Sequence, residues 1–266
     1  MPHLALQVPE DSLAEYKGKF NDQPYDGSSG YLPHRYPRAA YAAMVTRFDH
    51  EVGRMMALVK ELGLDENTIF VFSSDNGPLH GTHEGIAGTD SIFFNSAGGL
   101  RDGKGSLYEG GLREPTIVRW TGKIKSGTTS ARLSGFEDWV PTLLEVAGAK
   151  AATPQDTDGI SLLPTLLGES QPDRPFLYRE FPAYLGYQCV RVGDWKGLRK
   201  NLLVKNRTPK VANPDYHIEL YNLRDDAAET QDLSAQNPET VAKIERIMRE
   251  QHVNSVDFPF PALDKN

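Results

Sequence analysis

Apolar and polar positions fall into blocks along the chain, and the period of each block predicts an element. Residues 68–72 form an unbroken β-rich apolar run of the length of a buried parallel strand, followed at once by Ser73, Ser74, Asp75 and Asn76 and a Gly77-Pro78 turn. Before it, Met44, Val45, Phe48, Val52, Met55, Met56, Val59 and Leu62 recur at helical spacing, which predicts a helix over 38–62 that stops at Gly63. Its methionines are expected to pack as core against a sheet. A second apolar strand is predicted at 116–120, then a turn at 122–127 and an amphipathic helix over 137–147 with Pro141 in its first turn. Strand-like runs follow at 176–181, 187–192, 196–199 and 218–223. A final helix over 238–253 carries Val241, Ile244, Ile247 and Met248 on one face, with Asn237 as its N-cap. Residues 10–37, rich in Gly, Pro, Ser, Asp and Tyr, read as irregular surface connection.

Composition narrows the class. With 266 residues, 39% of them hydrophobic and 24% charged, the chain is long enough to bury a full core and is ordinary for a globular protein. A net charge of −7 leaves no basic footprint for nucleic acid or an anionic membrane, so neither is expected as a partner, and no apolar run reaches the length of a membrane span. The single cysteine, Cys189, excludes an internal disulfide and reads as a small buried hydrophobe in a strand. The first nine residues lack the layout of a signal peptide, and the compartment stays open. Prolines and glycines accumulate over 150–175, which places a boundary there: a larger α/β portion over 1–168 and a small α+β subdomain over 169–266.

The candidate chemistry gathers after the first strand. Asp75 and Asn76 at a strand's C-terminal edge offer oxygens suited to a hard cation, although an Asp-Asn-Gly triplet also makes an ordinary Asx turn. Lys104 sits among glycines 98, 99, 103, 105 and 110, where backbone can approach an anion and the ammonium can meet it; a flexible loop with an incidental lysine fits the same pattern. A P-loop is excluded because Gly105 follows the lysine. His80 and His83 have no strong third ligand at suitable spacing, so zinc is not expected.

Ser74-Asp75-Asn76-Gly77, then Gly99-Leu100-Arg101-Asp102-Gly103-Lys104 and Leu107-Tyr108-Glu109-Gly110-Gly111-Leu112-Arg113-Glu114-Pro115, resemble the C-terminal half of type I, formylglycine-dependent sulfatases of the alkaline phosphatase superfamily. The resemblance continues in order through Ile117-Val118-Arg119-Trp120, Asp138-Trp139-Val140-Pro141-Thr142, Asp158-Gly159-Ile160-Ser161-Leu162, Arg191-Val192-Gly193-Asp194-Trp195-Lys196 and Glu219-Leu220-Tyr221-Asn222-Leu223. It implies an α/β fold: part of an alkaline phosphatase-like central sheet flanked by helices, plus a small C-terminal antiparallel sheet with a covering helix. It also implies an arylsulfatase-type sulfuric ester hydrolase acting on sulfate esters of carbohydrates or aryl alcohols. A non-catalytic module binding sulfated ligands, or a phosphodiesterase or phosphonate hydrolase of the same superfamily, is the alternative. Relatives of this kind are often periplasmic, secreted or lysosomal.

By the same resemblance, Asp75 and Asn76 match metal ligands for Ca²⁺ (or Mg²⁺), Lys104 the sulfate-binding lysine, and His3 a sulfate-contacting histidine able to protonate the departing oxygen. His83 is a substrate-facing candidate. The formylglycine precursor motif C/S-x-P/A-x-R is the main departure. Cys189 is followed by Val190-Arg191-Val192, and no serine meets the motif in a suitable turn. The expectation is therefore a truncated or split sulfatase lacking the nucleophile, with an apolar face left for a missing N-terminal half or for self-association.

Overall fold

The computed structural model describes residues 3–81, 87–203 and 214–264. The backbone clusters into two compact units, one of residues 1–68 and 72–116, the other of residues 69–71 and 117–266. Among the described residues the elements run α1 (Glu10–Tyr16), α2 (Pro37–Glu61), β1 (Ile69–Ser73), α3 (Glu109–Leu112), β2 (Thr116–Trp120), α4 (Trp139–Val146), α5 (Leu163–Leu166), β3 (Leu177–Phe181), β4 (Tyr187–Val192), β5 (Trp195–Arg199), β6 (Glu219–Asn222) and α6 (Pro238–Gln251). Strands β1 and β2 pair as a two-stranded ribbon, and β3-β4-β5-β6 form an antiparallel sheet in sequence order. The chain is thus a mixed α/β fold with small sheets.

In the first unit α1 lies against the start of α2. Leu6, Leu13, Ala39 and Ala40 make its core, with Tyr16, Phe20, Tyr41 and Met44 packed around them. Helix α1 corrects the expectation of an irregular segment. Glu10 and Asp11 place acidic charge in its first turn and Leu13 is buried, signals outweighed in the sequence by the glycines and prolines of residues 18–37. Helix α2 is capped from a distance: Tyr36 makes no side-chain cap, and Asp22 Oδ1 accepts the backbone N–H groups of Arg38 at 2.7 Å and Ala39 at 3.3 Å.

The apolar stripe of α2 is a second correction. Only its first turns are buried, at Pro37, Ala39, Ala40 and Ala43, whereas Val45, Phe48, Met55, Leu58 and Leu62 are exposed. Met44 does pack on the core, but Met55 is 55% exposed and belongs to neither core among the described residues. Strand β1 is likewise not the buried strand expected, since Val71 and Phe72 are exposed; a ribbon of two strands leaves its faces open to solvent.

In the second unit the antiparallel sheet and covering helix form as expected. Val190, Ile218 and Leu220 pack against Ile244 and Met248 of α6, and Gly197 on β5 lets Ile244 approach so closely that an added Cβ would overlap its side chain. Cys189 is buried in β4. Asn237 stands at the N-cap of α6 but makes no side-chain cap; its amide donates back to the Leu233 carbonyl at 3.0 Å, and Pro238 at the first helical position has no N–H to satisfy.

Candidate functional site

Strand β1 ends at Ser73, and the next residues are shaped by backbone packing. An added Cβ at Gly77 would overlap the Gly110 carbonyl, one at Gly103 would overlap the Pro78 carbonyl, and one at Gly111 would overlap the Ser106 carbonyl. Without side chains the two segments lie backbone to backbone and hydrogen-bond directly. Gly77 N–H donates to the Gly111 carbonyl at 3.2 Å, and Lys104 N–H to the Pro78 carbonyl at 2.8 Å. Gly110 N–H closes the lysine loop on the Arg101 carbonyl at 2.8 Å. The glycines thereby return Lys104, distant in sequence, to the strand end that carries Asp75 and Asn76.

These residues line a cleft of about 300 Å³ within the first unit, together with His3, Tyr41, Ser96 and Glu114. Lys104 Nζ lies 3.4 Å from His3 Nε2, while His3 Nδ1 donates to the Leu4 carbonyl at 2.7 Å. With its proton on Nδ1, a neutral His3 ring leaves the Nε2 lone pair for the ammonium. Of the sequence-derived candidates, His3, Asp75, Asn76 and Lys104 are brought to one cleft. His83 lies outside the described residues.

Among the side chains on the cleft that the sequence did not single out are Glu114, Tyr41 and Ser96. Glu114 was quoted only as part of the glycine-rich motif, yet its Oε1 is sealed from solvent without a hydrogen-bond partner. Burial, followed by the neighbouring negative charge of Asp75, pushes its carboxyl up to about 6. Tyr41 projects from α2, its ring stacked on Phe94 with centroids 4.9 Å apart and planes 21° apart, and its hydroxyl 3.4 Å from Ser96 Oγ. The segment between is pinned by Arg38, whose guanidinium donates to Asp90 Oδ2 at 2.6 and 2.9 Å from a largely buried position. Ser91 Oγ accepts Gly81 N–H at 3.1 Å.

As a place for a hard cation, Asp75 and Asn76 supply carboxylate and amide oxygens of the right kind, but far short of the six to eight that Ca²⁺ takes. Among the described residues no group of three or more His, Cys, Asp or Glu side chains is arranged to hold a metal. The donor chemistry fits the ion; the number does not complete its shell.

The precursor motif needs one correction. Ser170-Gln171-Pro172-Asp173-Arg174 does carry the S-x-P-x-R spacing. Its arginine is engaged elsewhere in the second unit, bonded to the buried Asp138 carboxylate and 3.7 Å from Glu137, and the exposed Ser170 is not among the residues lining the cleft. Cys189 is held in β4.

Comparison with known proteins gives consistent matches. Residues 1–149 match the family described as Sulfatase, and residues 99–256 match the one described as N-sulphoglucosamine sulphohydrolase, C-terminal. The chain is 36% identical over 161 residues to N-acetylgalactosamine-6-sulfatase of Mus musculus, covering 60% of this chain and 29% of that protein. It is 32% identical over 255 residues to a sulfatase of Formosa agariphila, covering 89% of this chain and 41% of the relative. Among solved structures, that of Ps i-CgsB superposes with a TM-score of 0.71 at 25% identity, covering 98% of this chain and 49% of that one. The chain therefore spans between 29% and 49% of the length of these relatives.

Proposed function

The chain belongs to the sulfatase family, within the alkaline phosphatase superfamily, and from that premise we propose that its cleft binds the sulfate group of a sulfate ester for hydrolysis of the S–O bond, the alcohol portion being a carbohydrate or an aryl alcohol. The observation that carries this reading is the meeting of Lys104 and His3 on one cleft with Asp75 and Asn76. The ammonium offers a point charge and three donors to sulfate oxygens. The ring of His3, oriented by its bond to the Leu4 carbonyl, presents Nε2 beside that ammonium; protonated there, it can hand its proton to the departing alcohol oxygen. A divalent cation, when bound, would stabilise negative charge on the attacking oxygen and on the sulfate, with Asp75 and Asn76 among its ligands.

The serines lining the cleft, Ser74, Ser91 and Ser96, lack the C/S-x-P/A-x-R spacing, and no cysteine lines it. In this proposal the attacking group and the remaining cation ligands come from another sulfatase segment, in a longer chain or a partner. The exposed face of α2 at Val45, Phe48, Met55 and Leu58 is apolar surface that such a segment would cover.

The test is sulfate release from 4-nitrocatechol sulfate by this chain alone and mixed with an N-terminal sulfatase fragment carrying the precursor motif. Turnover is expected in the mixture and not in the chain alone, and Lys104→Ala should lower it by about a hundredfold or more, the scale of losing a preorganised charge at the reacting group. Lys104-dependent sulfate binding without turnover in either case would make the chain a binding module. Cleavage of a phosphate diester but not of the sulfate would move it to the phosphodiesterase branch of the superfamily.

A further inference from the structure

The cleft has a side that the sulfate-binding groups do not use. Among its described lining residues Lys104 is the one lysine or arginine, and it lies beside His3; Asp75, Glu114, Tyr41 and Ser96 line the same cleft. Glu114 lines the cleft, and its Oε1, shut off from solvent, has no hydrogen-bond partner among the described residues. The Tyr41 ring is held in place by its stack on Phe94, which in turn meets Phe20 edge-on at 5.6 Å, so it presents a fixed flat face of the kind that packs against the C–H face of a sugar. The Tyr41 and Ser96 hydroxyls, 3.4 Å apart, add groups that can both donate and accept. At about 300 Å³ the cleft is at the small end of ligand pockets, roughly 300–1,000 Å³, and so matches one ring with its sulfate.

Charge sets the other half of the selection. A second sulfate or a carboxylate on the sugar would find no second lysine or arginine among the described lining residues and would lie near Glu114. A cation held by Asp75 would offset that carboxylate and leave the charge of Glu114. We propose that Glu114, Tyr41 and Ser96 form the subsite for the alcohol portion, selecting a neutral hydroxyl-bearing sugar that carries a single sulfate and rejecting sugars with a second anionic group. Glu114 then acts as the source of the repulsion, while the Tyr41 and Ser96 hydroxyls meet the ring hydroxyls. This inference rests on the sulfatase reading of the cleft.

The test is NMR titration of the 266-residue chain with inorganic sulfate, galactose 6-sulfate and galactose 2,6-disulfate, beside the Lys104→Ala, Glu114→Gln and Tyr41→Ala variants, each checked for a dispersed, folded spectrum. Inorganic sulfate should bind in a Lys104-dependent manner, and galactose 6-sulfate about fivefold or more tighter than it, a gain of about 1 kcal/mol from the ring contacts. The disulfate should bind about tenfold weaker than the monosulfate, and Glu114→Gln, which keeps the shape and removes the charge, should shrink that ratio to about threefold or less. Tyr41→Ala should return galactose 6-sulfate to the affinity of inorganic sulfate. If sulfate binds through Lys104 but the wild-type chain takes the disulfate as tightly as the monosulfate, the subsite is overturned and the sulfatase reading stands. If no Lys104-dependent sulfate binding is found, both fall. The comparison of the three ligands on the wild-type chain decides the matter even where a variant fails to fold.

Discussion

Glu114 shows how much of this cleft is decided at a single atom. Its carboxyl titrates at about 6 in the folded chain against an ordinary 4.5, because burial and the charge of Asp75 both oppose ionisation. Between those values the folded state binds more protons than the unfolded one, so the contribution to stability is full below 4.5 and lost as pH rises through 6. Urea unfolding without added cation should therefore show the wild type losing stability between these two pH values relative to Glu114→Gln; parallel profiles would remove Glu114 as the titrating group. Gly77 and Gly53 make an opposed pair. Gly77→Ala drives a methyl group into the Gly110 carbonyl and should cost about 1–3 kcal/mol. Gly53 sits in exposed helix with nothing near its Cβ position, and Gly53→Ala should stabilise by about 0.5–1 kcal/mol. Thermal melts of the two variants read both signs. In the sequence, Asp75, Asn76 and Lys104 were legible because a polar pair ending an apolar run and a lysine among glycines are local signals. Tyr41 and Ser96 were not, since a tyrosine on a helix and a serine in a loop acquire meaning only from what faces them.

Elements were legible where their own residues bury each other. Strands β3 to β6 and helix α6 were predicted within a residue or two at most ends, because their periodic apolar positions meet in one core of Val190, Ile218, Leu220, Ile244 and Met248. Period alone did not disclose the polar content of that unit. Lys196 of β5 is 1% exposed and pairs with the fully buried Glu229 at 2.9 Å. Two charges removed from water together depend on each other, so Lys196→Met should destabilise by about 3–5 kcal/mol by stranding the carboxylate. Adding Glu229→Leu should recover much of that loss. Denaturation midpoints of the wild type, the two single variants and the double variant measure the coupling; additive losses would mean that the pair is not energetically linked. Helix α1 escaped the sequence reading because its seven residues bury Leu13 alone and precede a stretch of glycine and proline.

Each compact unit carries a core of its own, around Leu6, Leu13, Ala39 and Ala40 in one and around the β3–β6 sheet in the other. Across the molecule the consequential finding is apolar surface left exposed among the described residues. Val45, Phe48, Met55 and Leu58 of α2, with Leu62 just past its end, are between 40% and 61% exposed. Val45→Lys and Leu58→Lys should each change the stability of the isolated chain by no more than about 0.5 kcal/mol, as surface substitutions do, while reducing self-association seen by light scattering. A loss of several kcal/mol would show that this face is packed after all. By itself the sequence determined the order and type of most elements, the placement of Asp75 and Asn76 at the end of β1, and the resemblance to sulfatases that family matching bears out. These follow from local periodicity and short motifs. The tertiary structure alone decided which apolar stripes are buried and that residues 3, 41, 96, 104 and 114 share one cleft with the strand end. A stripe records which face of an element is apolar but not what lies over it, and the convergence depends on glycine backbones packing directly against one another, a contact with no side-chain pattern to announce it.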